Sequence, residues 1–188
     1  GADFAVWCTY KYLNSGPGSL AGCFVHERHA HNKNLNRFTG WWSHNKETRF
    51  RMRDEFDQLP GAEGWQLSNP PILSMAAIKA SLDLFDEVGF KKLVEKSKKL
   101  TGYFEFLLNE LNNKHIKIIT PSNPKERGCQ LSIQVKNADK SLHQKLTDAH
   151  IITDWREPDV IRCAPVPFYN SFKDVYHMVE KLKTILND

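Results

Sequence analysis

The most constraining feature of this chain is a helical signal running from residue 72 to residue 111. Residues 72–88 are apolar enough for a largely buried helix. Asn69-Pro70-Pro71 before them reads as a helix start, with proline suited to the first turn and Asn69 able to cap it. Gly89 permits a bend. From Phe90 the period is clear: Leu93, Ser97, Leu100, Phe104, Leu107, Leu108 and Leu111 share one face. Lys91, Lys92, Lys96, Lys98 and Lys99 read as a solvated face, where Glu95 and Lys99 stand as an i,i+4 pair. A chain of 188 residues can bury a core, as one domain or two small ones. Its apolar runs fall short of the ~20 residues that span a bilayer, so neither a membrane segment nor a signal peptide is expected.

Before the helices, Phe4 to Cys8 and Leu20 to Val25 read as two short buried strands. The link between them is short and rich in glycine, which suits an antiparallel pair. After the helices the pattern alternates. Strands are predicted at Ile116–Ile119, Gln130–Val135 and Val160–Ala164, and a short helix over 141–150. Ser171-Phe172-Lys173-Asp174 is a capping box that opens a last helix. The C-terminal stretch is therefore a small α+β unit, strands covered by helices. Residues 32–70 have little periodicity, and a long irregular segment in a compact domain is usually functional or mobile. Trp41, Trp42, His44 and Trp65 in it either pack the loop down or bind something.

Lys11 sits just past the first strand, in Thr9-Tyr10-Lys11, before the loop Asn14-Ser15-Gly16-Pro17-Gly18. A lysine there is either a surface loop residue or a partly desolvated amine, able when neutral to condense with an aldehyde. Arg162, on an apolar strand, needs an anion: an internal acid or a ligand carboxylate. Arg127 is read as structural. His26, His29 and His31 lack a standard zinc spacing and have no cysteine pair nearby, so no metal is expected. Cys8, Cys23, Cys129 and Cys163 contain no CxxC and are expected to be free, mostly buried thiols. Net charge is +4, with the basic residues dispersed. The densest patch, Arg49-Phe50-Arg51-Met52-Arg53, is read as a solvated strand face, and no nucleic-acid partner is expected.

The string Phe4-Ala5-Val6-Trp7-Cys8-Thr9-Tyr10-Lys11-Tyr12-Leu13-Asn14-Ser15-Gly16 closely resembles the lysine segment of kynureninases, which are pyridoxal-phosphate (PLP) enzymes. The resemblance continues through His26-Glu27-Arg28-His29-Ala30-His31, Gly40-Trp41, Ser68-Asn69-Pro70-Pro71, Thr120-Pro121-Ser122, Glu126-Arg127-Gly128-Cys129 and Arg162-Cys163-Ala164-Pro165, in the family's order. It implies an α/β to α+β chain of the PLP fold type I (aspartate-aminotransferase-like) class. Residues 1–90 would close the large cofactor domain, and 91–188 would form the small C-terminal domain, with the long helix linking the two.

The resemblance also implies roles. Lys11 would carry PLP and shuttle protons. Tyr10 would hydrogen-bond the phosphate or donate a proton. Trp41 would reach the phosphate across a subunit interface. His44 and Ser68 would lie near the substrate's aromatic ring, and Asn69 would contact cofactor or substrate. Arg162 would clamp the substrate carboxylate. The implied reaction hydrolyses L-kynurenine or 3-hydroxykynurenine to anthranilate or its hydroxy form plus L-alanine, in a cytoplasmic homodimer with a shared active site. The phosphate loop, the ring-stacking aromatic and the acid for the ring nitrogen are expected ahead of Gly1. The chain is thus expected to be the C-terminal part of a longer polypeptide and to need its N-terminal part. The competing expectations are a non-catalytic fragment or scaffold, and another fold type I enzyme such as a cysteine desulfurase.

Overall fold

The computed structural model describes residues 1–187, which form two compact units, Gly1–Glu87 and the residues from Val88 onward. In the first unit, β1 (Phe4–Trp7) and β2 (Gly22–Val25) pair antiparallel, with Phe4 opposite Val25 and Trp7 opposite Gly22. The pair is the expected one, but it is not buried: Val6 is 83% exposed. A two-stranded ribbon has no further strand or layer to cover its faces. The segment from 26 to 71 is irregular, as expected, with short 3-10 turns at Glu27–His29, Arg49–Arg51 and Gly61–Trp65. Arg49–Arg51 is therefore a turn rather than a strand face, because Arg49 N and Arg51 N donate back to the Asn45 and Thr48 carbonyls, each at 2.9 Å.

The helix α1 spans Ile72–Val88, starting where the proline pair ends. Ser81 is its one buried residue among those described, and Ile72 and Leu73 are at least four-fifths exposed. This corrects the expectation of a largely buried helix. Its composition is apolar, but the first unit supplies no layer over it. Gly89, at φ +87°, ends α1 in a conformation that a side chain would strain.

In the second unit α2 (Phe90–Glu110) buries Leu93, Leu100, Phe104 and Leu108 on the face read from the sequence. A four-stranded antiparallel sheet follows, in the order β3-β4-β6-β5. Its strands are β3 (Ile116–Ile118), β4 (Leu131–Val135), β5 (Asp154–Arg156) and β6 (Val160–Cys163). Leu131, Ile133 and Val135 point into a core shared with Ile161, Trp155, α2, α3 (Lys140–Asp148) and α4 (Phe172–Asn187). One face is thus closed by helices, and the alternate residues Ser132, Gln134, Arg162 and Asp154 fall on the other. The predicted capping box forms: Ser171 N donates to Asp174 Oδ2 at 2.7 Å, and Asp174 N to Ser171 Oγ at 3.3 Å. Arg127, almost fully buried, pairs with Glu105 at 2.6 Å and donates to the Pro121 carbonyl, a structural role as expected. All four cysteines are free, but only Cys163 is buried, and burial pushes its thiol up to about 12.

Candidate active site

The Lys11 turn is closed by hydroxyls. Thr9, buried, donates through Oγ1 to the Leu20 carbonyl and accepts from Ser15 Oγ at 2.7 Å. Asn14 N donates to the Lys11 carbonyl at 3.0 Å, and Ser15 N to the Thr9 carbonyl at 3.3 Å. Ser81 on α1 donates to the Leu13 carbonyl. These bonds fix the backbone on both sides of Lys11 while its side chain stays exposed. A desolvated amine is therefore not what these residues supply by themselves. Its ammonium lies 5.8 Å from the Tyr10 ring centroid, and no carboxylate among the described residues pairs with it. Tyr10 is half-exposed, not a buried tyrosine. Thr9, Ser15 and Ser81 carry no signal that sequence reasoning could have used, since a lone hydroxyl reads the same buried or exposed.

Trp41 and His44 come together in an open groove of about 470 Å³, with Arg49 and Phe56 beside them. Trp41 stacks at a tilt on Phe50 with centroids 5.5 Å apart, and His44 meets Phe56 edge-on at 5.6 Å. His44 Nε2 lies 3.3 Å from Thr48 Oγ1. Arg49 covers the Trp42 ring at 4.9 Å, and its buried Nε has no partner among the described residues. Gly40 brings this turn against Leu67: a Cβ there would meet the Leu67 carbonyl oxygen at 2.1 Å. That close approach sets Ser68 and Asn69, both exposed, next to the Gly40–Trp42 turn. Lys11 and Tyr10 do not line the groove.

Elsewhere in the first unit, Phe4 stacks on His29 at 5.1 Å and meets Trp65 edge-on, while Arg37 lies over Trp65 at 4.2 Å. Asp3 receives hydrogen bonds from His29, at 2.6 Å, and from Arg28, which hold its carboxyl below the usual range. His26 caps the Glu27–His29 turn, and no group of three or more His, Cys, Asp or Glu among the described residues could hold a metal ion.

Arg162 belongs to the second unit. Its guanidinium donates to Asp154 on the adjacent strand, so of the two anions considered from the sequence the internal acid is present. That bond, with the charges of Arg162 and Arg156, holds Asp154 below the usual carboxylate range.

The architecture defines a class. Chains of very similar fold include a cystine C-S lyase, C-DES, in complex with cysteine persulfide, with a TM-score of 0.74 at 18% identity, covering 97% of this chain and 46% of that one. Another is the apo cysteine desulfurase of Thermococcus onnurineus NA1, with a TM-score of 0.71 at 16% identity, covering 99% and 47%. The fold is that of the PLP enzymes of fold type I. Residues 93–182 match the kynureninase C-terminal domain. The chain is 58% identical to the kynureninase of Myxococcus xanthus (strain DK1622) over 97% of its own length and 43% of that protein. It is 53% identical to that of Koribacter versatilis (strain Ellin345) over 98% and 44%. By sequence it belongs with the kynureninases, and it spans less than half the length of the curated relatives it matches.

Proposed function

We propose that this chain acts within a kynureninase, an enzyme that uses PLP to hydrolyse the bond between the β- and γ-carbons of L-kynurenine or 3-hydroxykynurenine. The products are anthranilate or its hydroxy form and L-alanine, a step of tryptophan catabolism that feeds NAD synthesis. The observation that carries the reading is the identity of 53–58% along nearly the whole chain, which includes the clamped turn at Lys11. The donor set present fits PLP: a primary amine that no carboxylate among the described residues pairs with, for its aldehyde, and a phenol and an indole for its phosphate. When bound, PLP supplies an electron sink at the substrate α-carbon.

The chain's own residues do the rest. Lys11 Nζ holds the cofactor aldehyde and afterwards moves protons. Tyr10 Oη would donate to the phosphate, and Trp41 would reach it from a second copy in a homodimer. His44 and Ser68 bound the aryl pocket, Asn69 fixes cofactor or substrate, and the Arg162 fork takes the α-carboxylate. The N-terminal part of the enzyme completes the cofactor cradle, and the enzyme works in the cytoplasm. Among the described residues no helix is long and apolar enough to cross a membrane. The test is turnover: the full-length enzyme with PLP should release fluorescent anthranilate from L-kynurenine, and Lys11→Ala should lower kcat by at least about 10³-fold. A full-length enzyme that ignores both kynurenines would overturn the reading.

A further inference from the structure

We propose that Asp154 is a positioning residue for Arg162, holding the guanidinium so that its fork is preformed for the α-carboxylate of an amino-acid substrate. The inference rests on the assignment of Arg162 above. Asp154 and Arg162 are directly opposed in the β5–β6 ladder, so their side chains leave the sheet on the same side. Ser132 on β4 lies in the same row. This is the face that the helices leave free, because Ile161, Cys163 and Trp155 between these positions point into the core.

The charges gathered at Asp154 do not balance. Asp154 Oδ2 accepts from Arg162 Nη2 and also from Arg156 Nη2, the latter at 2.9 Å. One carboxylate oxygen thus serves two guanidinium groups, and the trio keeps one positive charge in excess. Arg162 also has a buried Nε without a partner among the described residues, and its side chain is one-third exposed. A buried donor left unpaired is costly, and an arginine fork with donors to spare suits a second carboxylate. Asp154 meets Arg162 through a single oxygen, so it orients the fork without saturating it. An arginine free on an open sheet face would lose rotamer freedom on binding a ligand; one already held by Asp154 has lost it beforehand.

The test uses the full-length, PLP-loaded enzyme. It measures kcat and KM for L-kynurenine, together with the Kd of an unreactive amino-acid analogue and of its α-amide by calorimetry. Asp154→Ala should raise KM and Kd about 3- to 10-fold, with kcat changed less than about twofold. Asp154→Asn, which keeps the shape and a neutral acceptor, should give a smaller rise of the same sign, and serves if the alanine variant does not fold. In an Arg162→Ala background, or with the α-amide, Asp154→Ala should change nothing further. Unchanged KM and Kd in the folded Asp154 variants overturn the inference, as does the same factor with and without Arg162, which marks a role in sheet stability alone. If Arg162→Ala itself keeps the parent KM, the assignment of Arg162 falls as well. A raised KM in Arg162→Ala with none in Asp154→Ala removes only the role of Asp154.

Discussion

Gly40 shows how much one missing carbon controls. The Leu67 carbonyl occupies the space where its Cβ would stand, and Ser43 Oγ both accepts from Gly40 N at 3.1 Å and donates to its carbonyl at 3.0 Å. Backbone meets backbone there, so no flexible side chain can give way. Gly40→Ala should destabilise by on the order of 2–3 kcal/mol and displace Trp41 from Phe50. Chemical denaturation and tryptophan fluorescence of the variant would show both effects. Parent-like stability with unchanged fluorescence would mean that the Leu67 segment simply moves aside. From the sequence Gly40 was visible only through its place beside Trp41, because a close backbone approach leaves no trace in composition.

At the scale of elements, what could be read depended on whether a signal was local. The α4 start was legible because a capping box is a local device, Ser171 and Asp174 three residues apart satisfying each other's backbone. Those hydrogen bonds from Ser171 hold the Asp174 carboxyl below its ordinary value. A depressed pKa contributes stability that is complete above the unfolded value of about 3.9 and is lost as pH falls through the folded value. Ser171→Ala should therefore cost about 1 kcal/mol near neutral pH, and its Tm deficit against the parent should shrink as pH drops below about 4. A deficit that stays constant from pH 7 to pH 3 would contradict the cap's share in that pKa. The strand β5, by contrast, went unread: Asp154-Trp155-Arg156 is three residues long and two-thirds charged, and only its pairing with β6 makes it a strand. It brings in Asp154, the acid that Arg162 meets.

The two units differ most at the scale of the molecule. Among the described residues, every buried hydrophobic side chain lies between Leu93 and Leu182, in the second unit. The buried side chains of the first are hydroxyls: Thr9, Ser15, Ser43 and Ser81. Apolar composition told which residues of β1 and α1 seek burial, but not whether their covering layer belongs to this stretch of sequence, and there the expectation of buried elements failed. Residues 88–188 produced alone should unfold cooperatively with about 5 kcal/mol or more of stability, and residues 1–87 alone should show no cooperative transition. Calorimetry of the two pieces checks this, and a sharp transition in the first piece would contradict it.

The central claim, that Lys11 carries the cofactor, is tested most directly by borohydride reduction of the full-length enzyme with PLP, followed by peptide mass mapping. The account predicts one pyridoxyl group, fixed to Lys11 and absent in Lys11→Ala. A label on another lysine, or none on a folded full-length enzyme, would contradict it.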